Sequence, residues 1–262
     1  MIVLTEEHEG VVRLTLNRPE KRNALNGELV EALRRALAAI ALRVEGEPDA
    51  ADRPRVIVLT GAGSDFCSGA DLAELEAIAE MGPEASLDDA GRMGDLFLAM
   101  RHHPLPIVAA VRGRALAGGC GLASACDLIV ADAEAEFGFP EVHLGFVPAM
   151  VMTMLRRKVV EGRAFELVTR GDRISAPEAH RIGLVNRVFE SDGFEAEVEA
   201  YARELANRPP SAIRLTKRLL YGLDGTGFDE GIRRGAEMNT LARLTDACRD
   251  GVRRFLSRRS GD

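Results

Sequence analysis

The sequence predicts an α/β fold followed by a helical C-terminal segment. Two short, unbroken apolar runs, Val56 to Leu59 and Ile107 to Val111, have the pattern of strands covered on both faces of a sheet. Each run leads through a glycine-containing loop into a stretch with helical spacing, and repeated strand, loop and helix units are typical of α/β domains. After about residue 195 the strand pattern disappears, so the rest of the chain is predicted to be helical.

The N-terminal elements follow simple periodic patterns. Residues 11 to 16 alternate between apolar and other side chains, and Asn17 to Pro19 end the run, which predicts a strand and a turn. From Glu28 to Val44 apolar residues recur every three or four positions, and Asn26 can cap the first turn, which predicts an amphipathic helix. Residues 77 to 92 are expected to form either a mobile insertion or an ordinary surface loop.

The second half of the chain begins with short strands and ends with helices. Further strands are predicted at Asp127 to Val130 and at Ile182 to Val188. Breaks at Pro209, Pro210 and residues 225 to 227 separate three predicted helices: Val198 to Leu205, Ile213 to Leu220 and Phe228 to Leu256. We therefore predict an α/β core over residues 1–195 and a helical segment over residues 196–262.

Composition limits the partners of the protein. The chain has 34 basic and 41 acidic side chains, for a net charge of −7, and basic residues cluster only in the last dozen positions, so we expect no nucleic-acid partner. Four cysteines without a CxxC pair predict reduced thiols. The first ten residues are acidic rather than signal-like, and no apolar run approaches the roughly 20 residues that span a bilayer. We expect a cytoplasmic protein without a membrane segment.

Two glycine-containing loops, residues 61–72 and 111–128, are the candidate functional motifs. Neither contains a dinucleotide fingerprint, a Walker motif or the GxSxG elbow of a hydrolase. Glycine allows a ligand to approach the main chain closely, and the start of a helix leaves backbone N–H groups unpaired. The loops can therefore hold a developing oxyanion, or they can be tight turns between strand and helix.

Four segments in the same order resemble the crotonase family, also called the enoyl-CoA hydratase/isomerase family: NRPEKRNAL (17–25), FCSGADL (66–72), GGCGLASACDL (118–128) and FGFPEVHLGFVP (137–148). The resemblance implies a spiral core of ββα units, with C-terminal helices that build a homotrimer or a homohexamer. It also implies an acyl-CoA thioester substrate, with coenzyme A as part of the substrate and no separate cofactor. By position, the backbone N–H groups of Ala70 and Gly118 would form the oxyanion hole.

The resemblance also implies which residues bind coenzyme A. The positions that correspond to the family's loops for the adenine end are Arg22, Ala24, Asp71 and Leu72. Near the C-terminus, Arg258 or Arg259 would reach the nucleotide phosphate of a neighbouring subunit. The alternative for these two arginines is a solvated basic helix end.

The two glutamates of the family's hydratases would fall at positions 121 and 141, where this chain has Gly121 and Glu141. A single carboxyl group suffices to shuttle a proton in isomerisation, whereas hydration loses a partner that orients the water. Glycine at the first position resembles methylglutaconyl-CoA hydratase-like members, in which it would leave room for a branched or carboxylated acyl group. Hydration with Glu141 is the first hypothesis, isomerisation the second, and a non-catalytic acyl-CoA binder the third. An RNA-binding role would need a basic face and is ranked last.

The remaining candidate residues have two interpretations each. Three side chains near the loops could contact a substrate carboxylate or belong to the surface: Arg112, Arg114 and His143. His102 and His103 have no acidic or thiol partner at ligand spacing, so they are predicted to be turn residues and no metal site is expected. Three methionines could line an acyl pocket or fill the core: Met150, Met152 and Met154.

Overall fold

The computed structural model describes residues 1–45 and 53–259. Its strands are β1 (Val3–His8), β2 (Val11–Leu16), β3 (Val56–Gly61), β4 (Ile107–Val111), β5 (Arg114–Leu116), β6 (Leu128–Asp132), β7 (Glu136–Gly138), β8 (Arg173–Ser175) and β9 (Arg187–Phe189). Its helices are α1 (Gly27–Arg43), α2 (Leu72–Glu80), α3 (Pro83–His102), α4 (Gly118–Ala125), α5 (Ala149–Lys158), α6 (Glu161–Arg170), α7 (Ala176–Arg181), α8 (Phe194–Ala206), α9 (Pro210–Gly222), α10 (Phe228–Arg243) and α11 (Asp246–Arg259). The predicted α/β class is confirmed.

Two sheets organise the fold. The larger has the order β1-β2-β3-β4-β6-β9, in which β1 pairs with β2 in antiparallel fashion and every other neighbour is parallel. The smaller has the order β5-β7-β8, with β5 and β7 parallel. Because parallel strands run together, β3 and β4 deliver their following loops to one edge of the sheet.

The central strands are buried on both faces, as their unbroken apolar sequences predict. Ile57 and Ile107 pair across β3 and β4 and belong to the larger apolar cluster, which also contains the buried face of α1. Val58 and Val108 point to the opposite face and pack with α8 in a second cluster. Alternation along each strand thus divides the side chains between two packing layers.

The helix α8 packs on the sheet, with Phe194, Val198 and Ala202 buried against it. The predicted boundary between residues 195 and 196 therefore falls inside a helix that contacts the core. The helices that follow have few buried side chains, and α10 has none. Large apolar side chains are exposed along α10 and at its end: Phe228, Ile232, Leu241 and Leu244.

Other elements differ in part from the sequence prediction. The predicted helix over Glu28 to Val44 is α1, and the Asn26 side chain accepts a hydrogen bond from Leu29 N at 3.0 Å, as expected of a cap. The predicted loop at 77 to 92 is wrong, because α2 continues to residue 80 and Pro83 starts α3 after Gly82.

The C-terminal predictions are corrected in two places. Of the predicted strand at 182 to 188 only the last residues are extended, because Gly183 adopts a φ of 88° in a turn. The predicted helix over residues 228 to 256 is two helices, and Thr245 lies at the break, where its hydroxyl accepts a hydrogen bond from Cys248 N. Residues 3–8 form a strand that was not predicted.

The described residues contain no helix long and apolar enough to cross a bilayer. The same residues contain no cluster of three or more side chains suited to hold a metal ion. All four cysteines are free thiols, and Cys67, Cys120 and Cys126 are buried.

Candidate active site

The two glycine loops meet at Gly69 and Gly118. A Cβ added to Gly69 would lie 2.8 Å from Ala117 Cβ and 3.5 Å from Gly118 N, and the φ of Gly69 is 104°. A Cβ added to Gly118 would lie 3.8 Å from Ala70 N. The main chains of the two loops therefore approach so closely that only glycine fits at position 69 without displacement.

The backbone N–H groups of Ala70 and Gly118 are neighbours, and neither donates a hydrogen bond within the described residues. Gly118 is the first residue of α4, and Ala117 before it has the rare backbone angles φ 49° and ψ −126°. Ala70 is exposed and Gly118 is half-buried, so a ligand can reach both groups. Two unpaired donors at a helix N-terminus suit an oxyanion.

Asn23 holds the first loop in place. Its side chain is fully buried, accepts a hydrogen bond from Arg18 N, and donates to the carbonyl oxygens of Ala62 and Asp65 at 2.9 and 2.7 Å. The sequence analysis did not select this residue. Its positive φ of 54°, which asparagine tolerates better than most residues, is a signal that becomes visible only in the structure.

A buried ion pair ties the two loops together. Arg114 donates to Asp65 through Nε at 2.6 Å and through Nη2 at 2.9 Å, a bidentate arrangement. Burial alone would raise the pKa of Asp65, but the hydrogen bonds from Arg114 and Ser64 outweigh it and hold this pKa below its usual range. This contact fits a structural role for Arg114 better than binding of a substrate carboxylate.

The other two charged candidates beside the loops also contact protein groups. Arg112 lies over the ring of Phe194 and 3.6 Å from Asp132. His143 lies with Nε2 3.0 Å from the carbonyl oxygen of Arg170. The surface interpretation of the sequence analysis fits these contacts better than binding of a substrate carboxylate.

Glu141 lies in a 3-10 helix, Pro140–Leu144, that follows β7. Its side chain is 8% exposed, and Oε2 is buried without a hydrogen-bond partner among the described residues. Burial raises the pKa of Glu141, and a hydrogen bond from its own backbone amide opposes this in part. Phe137 and Phe139 before it are fully buried. A carboxyl group in such surroundings can exchange protons at a pH where an exposed one stays ionised.

A backbone contact connects Glu141 to the start of α4. Ala117 N donates to Gly138 O at 2.8 Å, which continues the pairing of β5 with β7 and fixes the loop three residues before Glu141. The pKa of the Cys120 thiol is raised mainly by burial, and the negative charge of the nearby Glu141 carboxylate raises it further. Glu141 therefore shares one end of α4 with the unpaired N–H group of Gly118.

The space beside Gly121 is filled. A Cβ added to this buried glycine would lie 2.5 Å from Val151 Cγ2. Gly121 was predicted to leave space for a branched or carboxylated acyl group. In the structure the side chain of Val151 on α5 occupies that space. The small residue at 121 thus allows two helices to pack closely.

The positions carried over for coenzyme A differ in exposure. Arg22 and Leu72 are exposed, whereas Ala24 is buried and its carbonyl oxygen accepts a 2.6 Å hydrogen bond from Arg18. Asp71 pairs with Arg18 at 3.1 Å. Burial alone would raise the pKa of Asp71, and the contact with Arg18 reverses this to a lowered pKa.

Two further groups of predicted residues are placed by the structure. His103 is buried in the turn before β4, with Nε2 3.1 Å from Leu37 O and Nδ1 accepting from Leu105 N, which agrees with the predicted turn role. The three methionines lie on α5, where Met150 and Met152 are exposed and Met154 packs against the apolar core. Met150 and Met154, one helical turn apart, line a cavity between α5 and α3.

The basic C-terminal residues lie on the last helix. Arg258 is exposed on α11, and the side chain of Arg259 lies outside the described residues. Their predicted contact with coenzyme A stays a prediction, because it involves a neighbouring subunit.

Comparison with known proteins identifies relatives along nearly the whole chain. The family model described as enoyl-CoA hydratase/isomerase matches residues 6–262. A putative enoyl-CoA hydratase from Thermus thermophilus is 41% identical and the 2,3-dehydroadipyl-CoA hydratase of Escherichia coli is 34% identical, each over 99% of this chain and 98% and 97% of the relative. The crystal structure of an enoyl-CoA hydratase from Mycobacterium smegmatis superposes with a TM-score of 0.91 at 31% identity, covering 98% of this chain and 97% of that one. The fold is thus the crotonase fold, and the chain belongs to the enoyl-CoA hydratase/isomerase family.

Proposed function

We propose that the protein adds water across the 2,3 double bond of an enoyl-CoA thioester. The thioester carbonyl oxygen would accept hydrogen bonds from Ala70 N and Gly118 N, and Glu141 would exchange protons with water and with the α-carbon. The observation that carries this proposal is the buried, unpaired Oε2 of Glu141 at the same end of α4 as two unpaired N–H groups.

The chemistry follows from the charges that develop in the reaction. When water attacks C3, negative charge moves to the thioester oxygen, where prearranged donors stabilise it. Glu141, as a carboxylate, takes a proton from the water, and the resulting carboxylic acid protonates C2. The raised pKa of Glu141 brings both protonation states closer together in energy, which suits a group that accepts and then donates. The relatives described above are named as hydratases, which supports hydration over other outcomes.

Isomerisation is the second candidate, because Gly121 leaves Glu141 as the only carboxyl group at the expected positions. In that reaction Glu141 would remove a proton from C2 of a 3-enoyl thioester and return it to C4. A catalytically silent acyl-CoA binder is the third candidate, since a fold does not secure an activity.

The test mixes crotonyl-CoA, 3-methylglutaconyl-CoA and a 3-enoyl-CoA separately with wild-type protein, Glu141→Gln and Glu134→Gln. Loss of the enoyl thioester absorbance is recorded, and product masses are measured. Hydration predicts a gain of one water with either 2-enoyl substrate that Glu141→Gln lowers by roughly 10²-fold or more, while Glu134→Gln, a variant of an exposed carboxylate, keeps full activity.

Two outcomes would contradict hydration. Conversion of the 3-enoyl substrate without any gain of water would assign the isomerase. Silence of the wild-type protein with all three substrates, together with measurable binding of a saturated acyl-CoA, would assign the binding role.

We further propose that coenzyme A lies along the loops of Arg22–Ala24 and Asp71–Leu72, with no separate cofactor. Exposed Arg22 and Leu72 flank Ala70, whose N–H group would hold the thioester. In this proposal Arg258 or Arg259 of a neighbouring subunit contacts the nucleotide phosphate. Removal of the 3′-phosphate from the substrate should then raise KM in the wild type and have little effect in an Arg258→Ala/Arg259→Ala variant.

The exposed apolar side chains on α10, such as Phe228 and Ile232, support assembly into a trimer or a hexamer. Light scattering on the purified protein distinguishes these two states from a monomer. We also propose that the protein acts in the cytoplasm and needs neither a nucleic-acid nor a membrane partner.

A further inference from the structure

A cavity of about 650 Å³ lies beyond the candidate active site, bounded by α3, α5, α9 and the C-terminal end of α4. We name it the α3–α5 cavity. Its apolar wall includes Phe97, Leu184 and Leu220, and its remaining wall carries charged side chains. Neither Glu141 nor the two unpaired N–H groups line it, so it is separate from the reacting atoms.

Positive charge exceeds negative charge at this cavity. Arg101 and Arg157 both pair with Asp224, so two guanidinium groups share one carboxylate. Lys158 also lines the cavity, and among the described residues its Nζ donates to the carbonyl oxygens of Cys126 and Asp127, at 3.0 and 3.4 Å. Burial lowers the pKa of Lys158, and the charge of nearby Asp127 opposes this only in part.

The second carboxylate at the cavity is already neutralised. Asp127 accepts from Lys217 Nζ at 2.8 Å and from the Tyr221 hydroxyl at 2.6 Å. Lys217 is buried and hydrogen-bonded to this carboxylate, so the pair adds no net charge to the cavity. Among the described groups the cations therefore outnumber the carboxylates by two, and an additional anion would lower the electrostatic energy of the cavity.

A hydroxyl group without a partner adds a donor. Ser124, on the last turn of α4, lines the cavity and is 3% exposed. Its Oγ has no hydrogen-bond partner among the described residues, although buried hydroxyl groups are nearly always paired. The neighbours of Ser124 on α4 are mostly small and apolar, so alanine at this position would pack equally well.

The cavity adjoins the candidate active site. A smaller cavity at the site is lined by Ala70 and reaches Met93 on α3, and the next residue, Gly94, lines the α3–α5 cavity. Met150 faces Gly94, since a Cβ added there would lie 3.6 Å from its sulfur. Met93 and Met150 line the two cavities on either side of Gly94, and flexible methionine side chains can move aside for an acyl chain.

We propose that the α3–α5 cavity binds a carboxylate at the far end of the acyl chain, so that the preferred substrates are acyl-CoA thioesters of dicarboxylic acids. The inference rests on the proposed function, because it assumes that Ala70 and Gly118 hold the thioester. The methylene groups would contact Phe97 and Leu98, and the terminal carboxylate would accept hydrogen bonds from Ser124 and Arg157.

The distance along α4 from Gly118 to Ser124 indicates which length of acyl chain would reach the cavity. Ser124 lies six positions after Gly118, which corresponds to about 9 Å along the helix axis. Carbon–carbon bonds of about 1.5 Å advance an extended chain by about 1.3 Å each, so five bonds cover roughly 6.5 Å. A hydrogen bond of about 2.8 Å completes the distance. A six-carbon acyl group with a terminal carboxylate therefore fits.

The test measures binding of adipoyl-CoA and hexanoyl-CoA by titration calorimetry. These thioesters have the same chain length, differ only in the terminal carboxylate, and contain no double bond to hydrate. Wild-type protein is expected to bind adipoyl-CoA at least about tenfold more tightly. Arg157→Gln and Ser124→Ala should each reduce this preference to about threefold or less, without changing the affinity for hexanoyl-CoA. Arg163→Gln, at an exposed arginine on α6, should keep it.

Two results would overturn the assignment. One is equal or tighter binding of hexanoyl-CoA by the wild-type protein; the other is a preference that survives in both cavity variants. Free adipate distinguishes a second source of the carboxylate: if it binds together with hexanoyl-CoA, the cavity holds a free anion and not the end of the acyl chain. Failure of hydration with the binding preference intact would contradict the proposed reaction alone.

Discussion

Replacement of Gly121 by alanine should destabilise the protein, although alanine is the better helix former. The new Cβ would lie 2.5 Å from Val151 Cγ2, where ordinary contact begins at 3.4 Å, so the Val151 side chain or the two helices must shift by about 1 Å. Overpacking of this kind costs about 1–3 kcal/mol, and the helical preference of alanine returns about 0.5–1 kcal/mol. The expected net loss is about 1.5 kcal/mol, or roughly 3–6 °C in Tm.

The same substitution should reverse its sign when the contact is removed. In a Val151→Ala background the added methyl group meets a vacated space, so Gly121→Ala should be neutral or stabilising by up to about 1 kcal/mol. Gly162→Ala is the matched control, because this helical glycine on α6 has no atom within 4 Å of an added Cβ. It should stabilise the wild-type protein by about 0.5–1 kcal/mol.

Urea unfolding followed by circular dichroism measures these free energies at several protein concentrations, since the stability of an oligomer depends on concentration. Equal destabilisation by Gly121→Ala in both backgrounds would refute the argument that Val151 fills the space. It would also reopen the possibility that this position faces the acyl group.

Three further predictions concern the site and its support. If Glu141 acts as a base, kcat/KM should fall as the pH decreases and Glu141 becomes protonated. Because burial raises the pKa of Glu141, this fall should begin at a higher pH than the pKa of an exposed carboxyl group, and Glu141→Gln should abolish it. Burial lowers the pKa of His103 from 6.5 to about 4, so between these two pH values the unfolded chain binds more protons than the folded protein. The free energy of unfolding of the wild-type protein should therefore fall between pH 7 and pH 4, and it should fall by about 3 kcal/mol more than that of His103→Gln. Gly69→Ala and Gly82→Ala both place alanine at a φ near 100°. Only at position 69 would the added Cβ contact another residue, Ala117 at 2.8 Å, and displace the loop that carries Ala70 N, so only Gly69→Ala should lower kcat, by roughly 10²-fold.

The sequence predicts the interior elements because their patterns are determined by burial. Val56 to Leu59 and Ile107 to Val111 are fully covered, and no other structure accommodates a short run of this kind so well. The strand over residues 3–8 escaped prediction because it lies at the edge of the sheet, where most of its side chains are exposed and acidic residues are tolerated. Residues 77 to 92 were mistaken for a loop because Gly82 and Pro83 separate two helices without any intervening segment.

The site was predicted only as far as short segments determine it. The positions of Glu141 and of the two glycine loops follow from local sequence, and the structure places them at one end of α4. The pairing of Arg18 with Asp71 and of Arg114 with Asp65 joins residues about 50 positions apart, so no local pattern reveals it. The same limit applies to Gly121, because a glycine in the sequence does not indicate which neighbour fills the space beside it.

The state of Glu141 constrains the reaction more than the number of carboxyl groups does. A second carboxylate beside a buried one would favour protonation of one of the pair, whereas the pKa of Glu141 is raised by burial and lowered only in part by a hydrogen bond from its own backbone amide. Oε2 is buried and makes no hydrogen bond to the described residues, so its capacity to accept a hydrogen bond or a proton is unused. In the proposed mechanism the unpaired N–H groups of Ala70 and Gly118 would stabilise the thioester oxygen in either case, since both reactions pass through an enolate. The choice between hydration and isomerisation therefore depends on whether the bound acyl group leaves space for a water molecule at Glu141. An acyl chain that extends into the α3–α5 cavity would have its methylene groups away from this carboxyl group and would leave that space.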